Sequence, residues 1–389
     1  MKDRRSRSQI ASADPVSGGS QLRGGEEAIS EASPNQRPAS HEFERVLAVA
    51  STAQALFEEE HLSPIKRVQR FLHVYPTVVP FVVLVLGLLL GTSVNFDRFA
   101  TASNLSTVLT QVTIIGIVGI AQTLVILTAG IDLSVGVIMV ISSVVMGRLA
   151  VIDGLPVILA FLLGLLCGVA CGFLNGSLVT RLQMPPFIVT LGTLSIIGAL
   201  NTFYSQSETI REQDIEVRAP FLQLMGVPFE IGGARIILGS FLLVLLAIIV
   251  WYVLNRTAYG RHIYATGDDR EAARLAGINT DRVILSVYVL AGLISAVAGW
   301  ALIGRIGAIS PTAGENANLD SITAVVIGGT SLFGGRGSIV GTLIGALIVG
   351  VFRSAVSLAG LDVLWQEFAI GVLIIVAVAL DQWIRRVSA

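Results

Sequence analysis

The chain has 389 residues, of which 53% are hydrophobic, only 14% are charged and 40 are glycine, with a mean hydropathy of +0.77. That balance excludes an ordinary soluble domain. A formal net charge of −1 gives no electrostatic footprint for nucleic acid, so the placement of charge carries the information. The composition predicts an all-α polytopic membrane protein.

In chain order, residues 1–65 come first. They are polar, rich in Ser, Gly, Pro and Glu, and lack the apolar core of a secretory signal. We expect a mostly disordered cytoplasmic tail, with Phe43, Val46, Leu47, Ala50, Leu56 and Phe57 spaced for a short amphipathic helix between Glu42 and Glu60. The membrane domain then occupies residues 66–389. A hydrocarbon core needs about 20 apolar helical residues, and ten stretches qualify: 77–95, 106–128, 133–151, 155–179, 186–204, 236–254, 283–303, 320–333, 338–353 and 364–383. The eighth and ninth are short and are expected to be bent or broken helices. Basic residues set the orientation. Lys66, Arg67, Arg70, Arg181, the five arginines from Arg256 to Arg282, Arg336, Arg385 and Arg386 fall on one side, which places both termini in the cytoplasm. The opposite side receives an acidic outer loop at about 205–235, and Arg148 and Arg305 there run against the rule.

Small residues form ridges at i, i+4 spacing: Gly164, Gly168, Gly172 and Gly176; Gly337, Gly341 and Gly345; and Ala291, Ser295 and Gly299. In lipid, close backbone approach supplies much of the helix packing, and these ridges are expected to pack inside the bundle. Cys167 and Cys171 lie in an apolar run and read as small packing residues, with no disulfide framework. All four histidines fall outside the apolar runs, so neither a bound metal nor an intramembrane proton relay is expected.

Two glycine-rich segments mark gate or re-entry candidates near the cytoplasmic face. The first contains Gly130, Asp132, Ser134 and Gly136; the second contains Gly328, Gly329, Gly334 and Gly335. Asp132 and Ser134 are placed to cap the third span, where the helix dipole favours a carboxylate. Polar residues inside the spans, Gln111, Gln122, Thr190, Thr193, Asn201 and Thr323, fit either a substrate path or helix-to-helix hydrogen bonds.

One charged segment, about 255–282, interrupts the spans. Asp268 or Asp269 can cap a short helix ending at Leu275 or Ala276, and Gly277 can end it in the left-handed conformation. Glu271 and Arg274 then share a face beside Ala272 and Ala273, a surface on which a second protein can pack; a solvated positive-inside loop is the competing reading.

Glu271-Ala272-Ala273 with Gly277 four residues on resembles the EAA-Gly signature of ABC-importer permeases. The runs GIDLSVG (130–136), PPFIVTLGTL (185–194), TAYGRHIYATGDDREAARLAGI (257–278) and ITAVVIGGTSLFGGRGSIVGTLIGALIVGV (322–351) are similar to those of the ribose, xylose and galactose permease family. The runs VTIIGIVGIAQTLVILTAGIDLS (112–134) and SAVAGWALIGRIGAISPTAG (295–314) are most like its fructose-importing members. The resemblance covers residues 66–386. It implies a multi-pass permease of the bacterial inner membrane, with no catalytic residue and no cofactor of its own. The implied partners are a cytoplasmic ABC ATPase subunit, a soluble periplasmic sugar-binding protein, a second permease copy and membrane lipid. It also marks Gly267, Asp268, Asp269, Glu271, Ala272, Ala273, Arg274 and Gly277 as the ATPase-coupling loop. Independently, a phosphate-binding loop needs a lysine after glycine, and the only lysines are Lys2 and Lys66, neither of which follows one. The competing class, an ion-coupled secondary sugar symporter, would keep ionisable residues near the bilayer midplane; Asp132 and Asp320 sit near span ends.

Overall fold

The computed structural model describes residues 78–314 and 316–385. The tail of residues 1–65, its expected helix at 42–60 and the basic flank at Lys66, Arg67 and Arg70 lie outside the described residues.

A helix stands at each of the ten apolar stretches: α1 (Val78–Val94), α3 (Ala102–Leu127), α4 (Val135–Gly147, continued by a π turn over Arg148–Ile152), α5 (Val157–Arg181), α6 (Pro186–Ser205), α8 (Leu238–Arg256), α11 (Thr280–Ile306), α12 (Ala317–Ile327), α13 (Ile339–Leu358) and α14 (Val363–Arg385). Short helices fill the connections: α2 (Phe96–Phe99), α7 (Glu212–Arg218), α9 (Ala258–Asp268) and α10 (Arg270–Leu275). Among the described residues, α3, α4 with its π turn, α5, α6, α8, α11 and α13 are long and apolar enough to cross a membrane. The fold class is therefore the expected one.

Helix α3 is the centre of the bundle. Within its apolar window 83% is buried, against 22% for α5 and 28% for α6 and α8, so α3 is wrapped by protein while the other three turn large apolar side chains outward. Phe187, Ile188, Leu191, Ile196 and Leu200 on α6 are exposed in this way. The small-residue ridges pack inside. A methyl on Gly172 would strike the Tyr288 carbonyl, one on Gly292 the Gly168 carbonyl, and one on Gly299 the Met139 carbonyl. The ridge on α13 closes on α12 in the same way, Gly341 against the Gly328 carbonyl and Gly345 against that of Ala324. Cys167 and Cys171 are free and pack on Ile138, Ile141 and Ile197.

Three expected boundaries need correction. The eighth stretch is helical for only 11 residues, about 16 Å at 1.5 Å per residue, roughly half the ~30 Å hydrocarbon thickness. The ninth is not short: it runs 20 residues to Leu358. Arg353 does not end it, because its Nη2 donates to Asp320 Oδ1 on α12 at 2.6 Å, and a paired charge is tolerated inside a bundle. Finally, the outer segment is more than a loop. After α7 a 3-10 turn (Pro220–Gly226) leads into an antiparallel hairpin, β1 (Pro228–Ile231) and β2 (Ala234–Ile237), with Glu230 opposite Arg235. Gly232 and Gly233 both have positive φ, +59° and +82°, the backbone of a tight two-residue hairpin turn.

Candidate functional site

The charged segment folds into two helices rather than one. Thr257 caps α9, its Oγ1 accepting from Gly260 N at 3.2 Å. Gly260 lies so close to the Leu254 carbonyl that no side chain fits, which allows the corner between α8 and α9. Ile263 is fully buried beneath the helix. Tyr259 shares a 2.7 Å hydrogen bond with Ser286, and Tyr264 OH donates to the Gly337 carbonyl at 2.9 Å. Burial pushes both phenols above their ordinary range, so they stay neutral.

Helix α10 is the short helix expected from the sequence. Asp269 is its cap: Oδ1 accepts from Glu271 N and Ala272 N, each at 2.9 Å, a cap worth about 1 kcal/mol. Gly277 ends it with φ +87° and open space where a Cβ would stand, so backbone conformation alone selects glycine there. Of the helix, Ala273 is buried while Glu271, Ala272, Arg274 and Leu275 are exposed, Leu275 at 90%. Glu271 and Arg274 do share a face, 3.7 Å apart. Asp281, at the start of α11, holds the helix from below through Arg270 at 2.6 Å and Arg274 at 3.7 Å.

Gly267 behaves differently from the exposed residues of the predicted coupling loop. Gly267 is buried and unavailable to a docking partner. A Cβ on it would collide with the Leu127 carbonyl, the last of α3, and come within 2.8 Å of Gly335 N. Gly335 N in turn donates to Leu127 O at 3.0 Å. A Cβ on Gly335, at φ +70°, would stand 2.8 Å from Asp268 Cα, and one on Gly334 2.8 Å from Ala129. Three chain segments thus meet backbone to backbone: the end of α3 with the first glycine segment, the end of α9, and the second glycine segment. They are packed this closely with no side chains between them.

The first glycine segment dips into the bundle. Gly130 N closes onto Val125 O at 3.1 Å past Ala129, which holds φ +59°. Asp132, 1% exposed, accepts at Oδ1 from Ser134 N at 2.7 Å and from Ser134 Oγ at 2.6 Å. Asn175 Nδ2 of α5 donates to Ser134 Oγ at 2.8 Å, and Thr190 Oγ1 of α6 donates to Ile131 O at 3.0 Å. The expected capping is only half right: Asp132 orders the turn before α4, but Ser134 makes no side-chain cap. The free N–H of Gly136 donates instead to Asn318 Oδ1 of α12. Asn318 and Asn175 carry no motif around them, and only the fold reveals them as partners. In the second segment Gly328 and Gly329 end α12, with Thr330 N returning to Val325 O at 3.1 Å, the same closure that follows α3. Of the polar span residues, Thr193 and Thr323 bond to carbonyls on their own helices and Asn201 to Pro311 O. Gln111 lines open space, and Gln122 is enclosed.

Residues 104–378 match the family model described as branched-chain amino acid transport system / permease component. The chain is 56% identical over 350 residues to the fructose import permease protein of Rhizobium meliloti, covering 90% of this chain and 97% of that protein. It is 38% identical to the ribose import permease protein of Bacillus subtilis, over 78% of this chain and 92% of the other. It is 32% identical to the D-allose transport system permease protein of Escherichia coli, over 79% and 91%. No solved structure matches.

Proposed function

The chain belongs to the family of permease components of branched-chain amino acid transport systems, and from that premise we propose that it is the pore subunit of an ATP-driven monosaccharide importer, with fructose as the cargo. The sugar reading rests on the relatives: the 56% identical protein is named for fructose import and others for ribose and D-allose, whereas the family description speaks of branched-chain amino acids.

One observation carries the mechanism: Gly267, at the end of the helix before the exposed α10, is seated on the last carbonyl of α3 and on Gly335. A cytoplasmic ATPase subunit docks on the face formed by Glu271, Ala272, Arg274 and Leu275. Its closure on ATP moves α10 and α9. The close-packed contact transmits that movement to both glycine segments, Gly130 to Gly136 and Gly328 to Gly335, which serve as the inner gate. A soluble periplasmic binding protein delivers sugar to the opposite face of a permease homodimer. Nucleotide and loaded binding protein must each favour one conformation, since only differential affinity shifts an equilibrium. Hydrolysis takes place in the partner, and this chain has no catalytic role.

The test is uptake into proteoliposomes holding the permease with its ATPase and binding protein. Labelled fructose should accumulate with internal ATP and leucine should not. Fructose accumulation on an ion gradient, with no ATPase present, would replace this account with a symporter; leucine accumulation would keep the machine and change the cargo.

A further inference from the structure

At the end of the bundle away from α10, three adjoining cavities of about 390, 260 and 530 Å³ open around one side chain, Gln111, which lines all of them. Each is near the size range of small-molecule sites, about 300–1,000 Å³. Gln111 Oε1 is enclosed and has no hydrogen-bond partner, an expensive state for an amide oxygen. On one side of it the wall is a run of hydroxyls and an amide along α3, Ser103, Asn104 and Thr107. Arg353 lines that same cavity, and with its partner Asp320 it lines the second; the two side chains are 23% and 7% exposed. Arg305 closes the two cavities on the far side. No lining residue of the three is aromatic.

We propose that Gln111, Asp320 and Arg353 form a transit site for the cargo inside the permease, taking a polyhydroxylated molecule. This rests on the sugar-import reading and adds to it where the cargo is held. A polyol presents donors and acceptors on every face, and the site answers both: the Gln111 amide nitrogen donates, Asp320 accepts with whatever Arg353 leaves free, Arg353 donates in a fork, and the Ser103 and Thr107 hydroxyls do either. Arg98, Arg235 and Arg305 line the same cavities beside the pair, so N–H donors outnumber carboxylate acceptors, which suits the many hydroxyl oxygens of a polyol. The missing aromatic platform removes the stacking surface that would hold a sugar ring tightly, which suits a station that must release.

The experiment uses the complete complex in proteoliposomes and reads fructose uptake beside ATP hydrolysis stimulated by loaded binding protein. Gln111→Leu should cut uptake about tenfold while stimulated hydrolysis stays within about twofold. Asp320→Asn should do the same, and because that change disturbs an ion pair, Gln111→Glu serves as a second probe that keeps the volume and should alter the relative uptake of fructose, ribose and allose with one binding protein. Unchanged uptake and unchanged sugar preference in both Gln111 variants would overturn the site, as would uptake and hydrolysis falling in proportion. Failure of the wild-type complex to import any sugar would instead remove the functional reading beneath it.

Discussion

The two ends of the bundle are built on opposite principles. At the end carrying α10, glycines remove side chains so that Gly267, Leu127 and Gly335 touch through their backbones. At the other end, long polar side chains such as Gln111 and Arg353 stand around open cavities. In the proposed mechanism a joint without side chains transmits displacement, because a tightly packed contact has only a few discrete arrangements, while a side-chain-lined space adapts to a passing molecule. The difference teaches where substitution should be felt as lost movement and where as lost recognition.

The severest break of that contrast is Gly267→Val. Its added atoms meet main chain that cannot rotate away, so we expect about 3 kcal/mol of destabilisation, the upper end for overpacking. The readings are a lower apparent melting temperature in detergent and abolished uptake. Next is Asp132→Ala, which strips the acceptor from Ser134 N and Oγ. The cost should be about 1–3 kcal/mol, whereas Asp132→Asn keeps an accepting oxygen and should keep most uptake. An Asn variant that inserts normally yet transports nothing would mean that the carboxylate's charge, not its turn geometry, matters. Leu275→Ser sharpens the comparison from outside: with the side chain 90% exposed, stability of the isolated permease should move by less than about 0.5 kcal/mol, while co-purification of the ATPase falls. The smallest effect belongs to the half-exposed Arg270–Asp281 pair, where a double-mutant cycle should return no more than about 1 kcal/mol.

Much of this was legible in the chain. Long apolar runs located the helices because lipid forces every spanning backbone to satisfy itself. Asp269 and Gly277 were readable because caps act locally. What escaped is non-local or masked. Arg353 looked like the end of a span because a sequence does not show its partner Asp320. Helix α9 has no strong signal in the chain, since its residues are polar and only Ile263 and two tyrosines anchor it. The hairpin around Gly232 and Gly233 has its turn signal in the Gly-Gly pair, inside an acidic connection whose strands are only four residues each. Gly267 was grouped with the docking surface by adjacency, and its burial against α3 depends on a contact 140 residues away in the chain, with Leu127.

The central claim is that the joint at Gly335 couples α10 to the glycine segments. Two alanine substitutions isolate it, for Gly277 and Gly335 share the left-handed backbone, φ +87° and +70°, yet only Gly335 has a neighbour, Asp268, in the way of a Cβ. Uptake and ATP hydrolysis measured together in the reconstituted complex should show Gly335→Ala hydrolysing ATP but importing at least about tenfold less sugar, a loss of roughly 1.4 kcal/mol in coupling. Gly277→Ala should lose far less. Equal import by the Gly335 variant and the wild type would contradict the account.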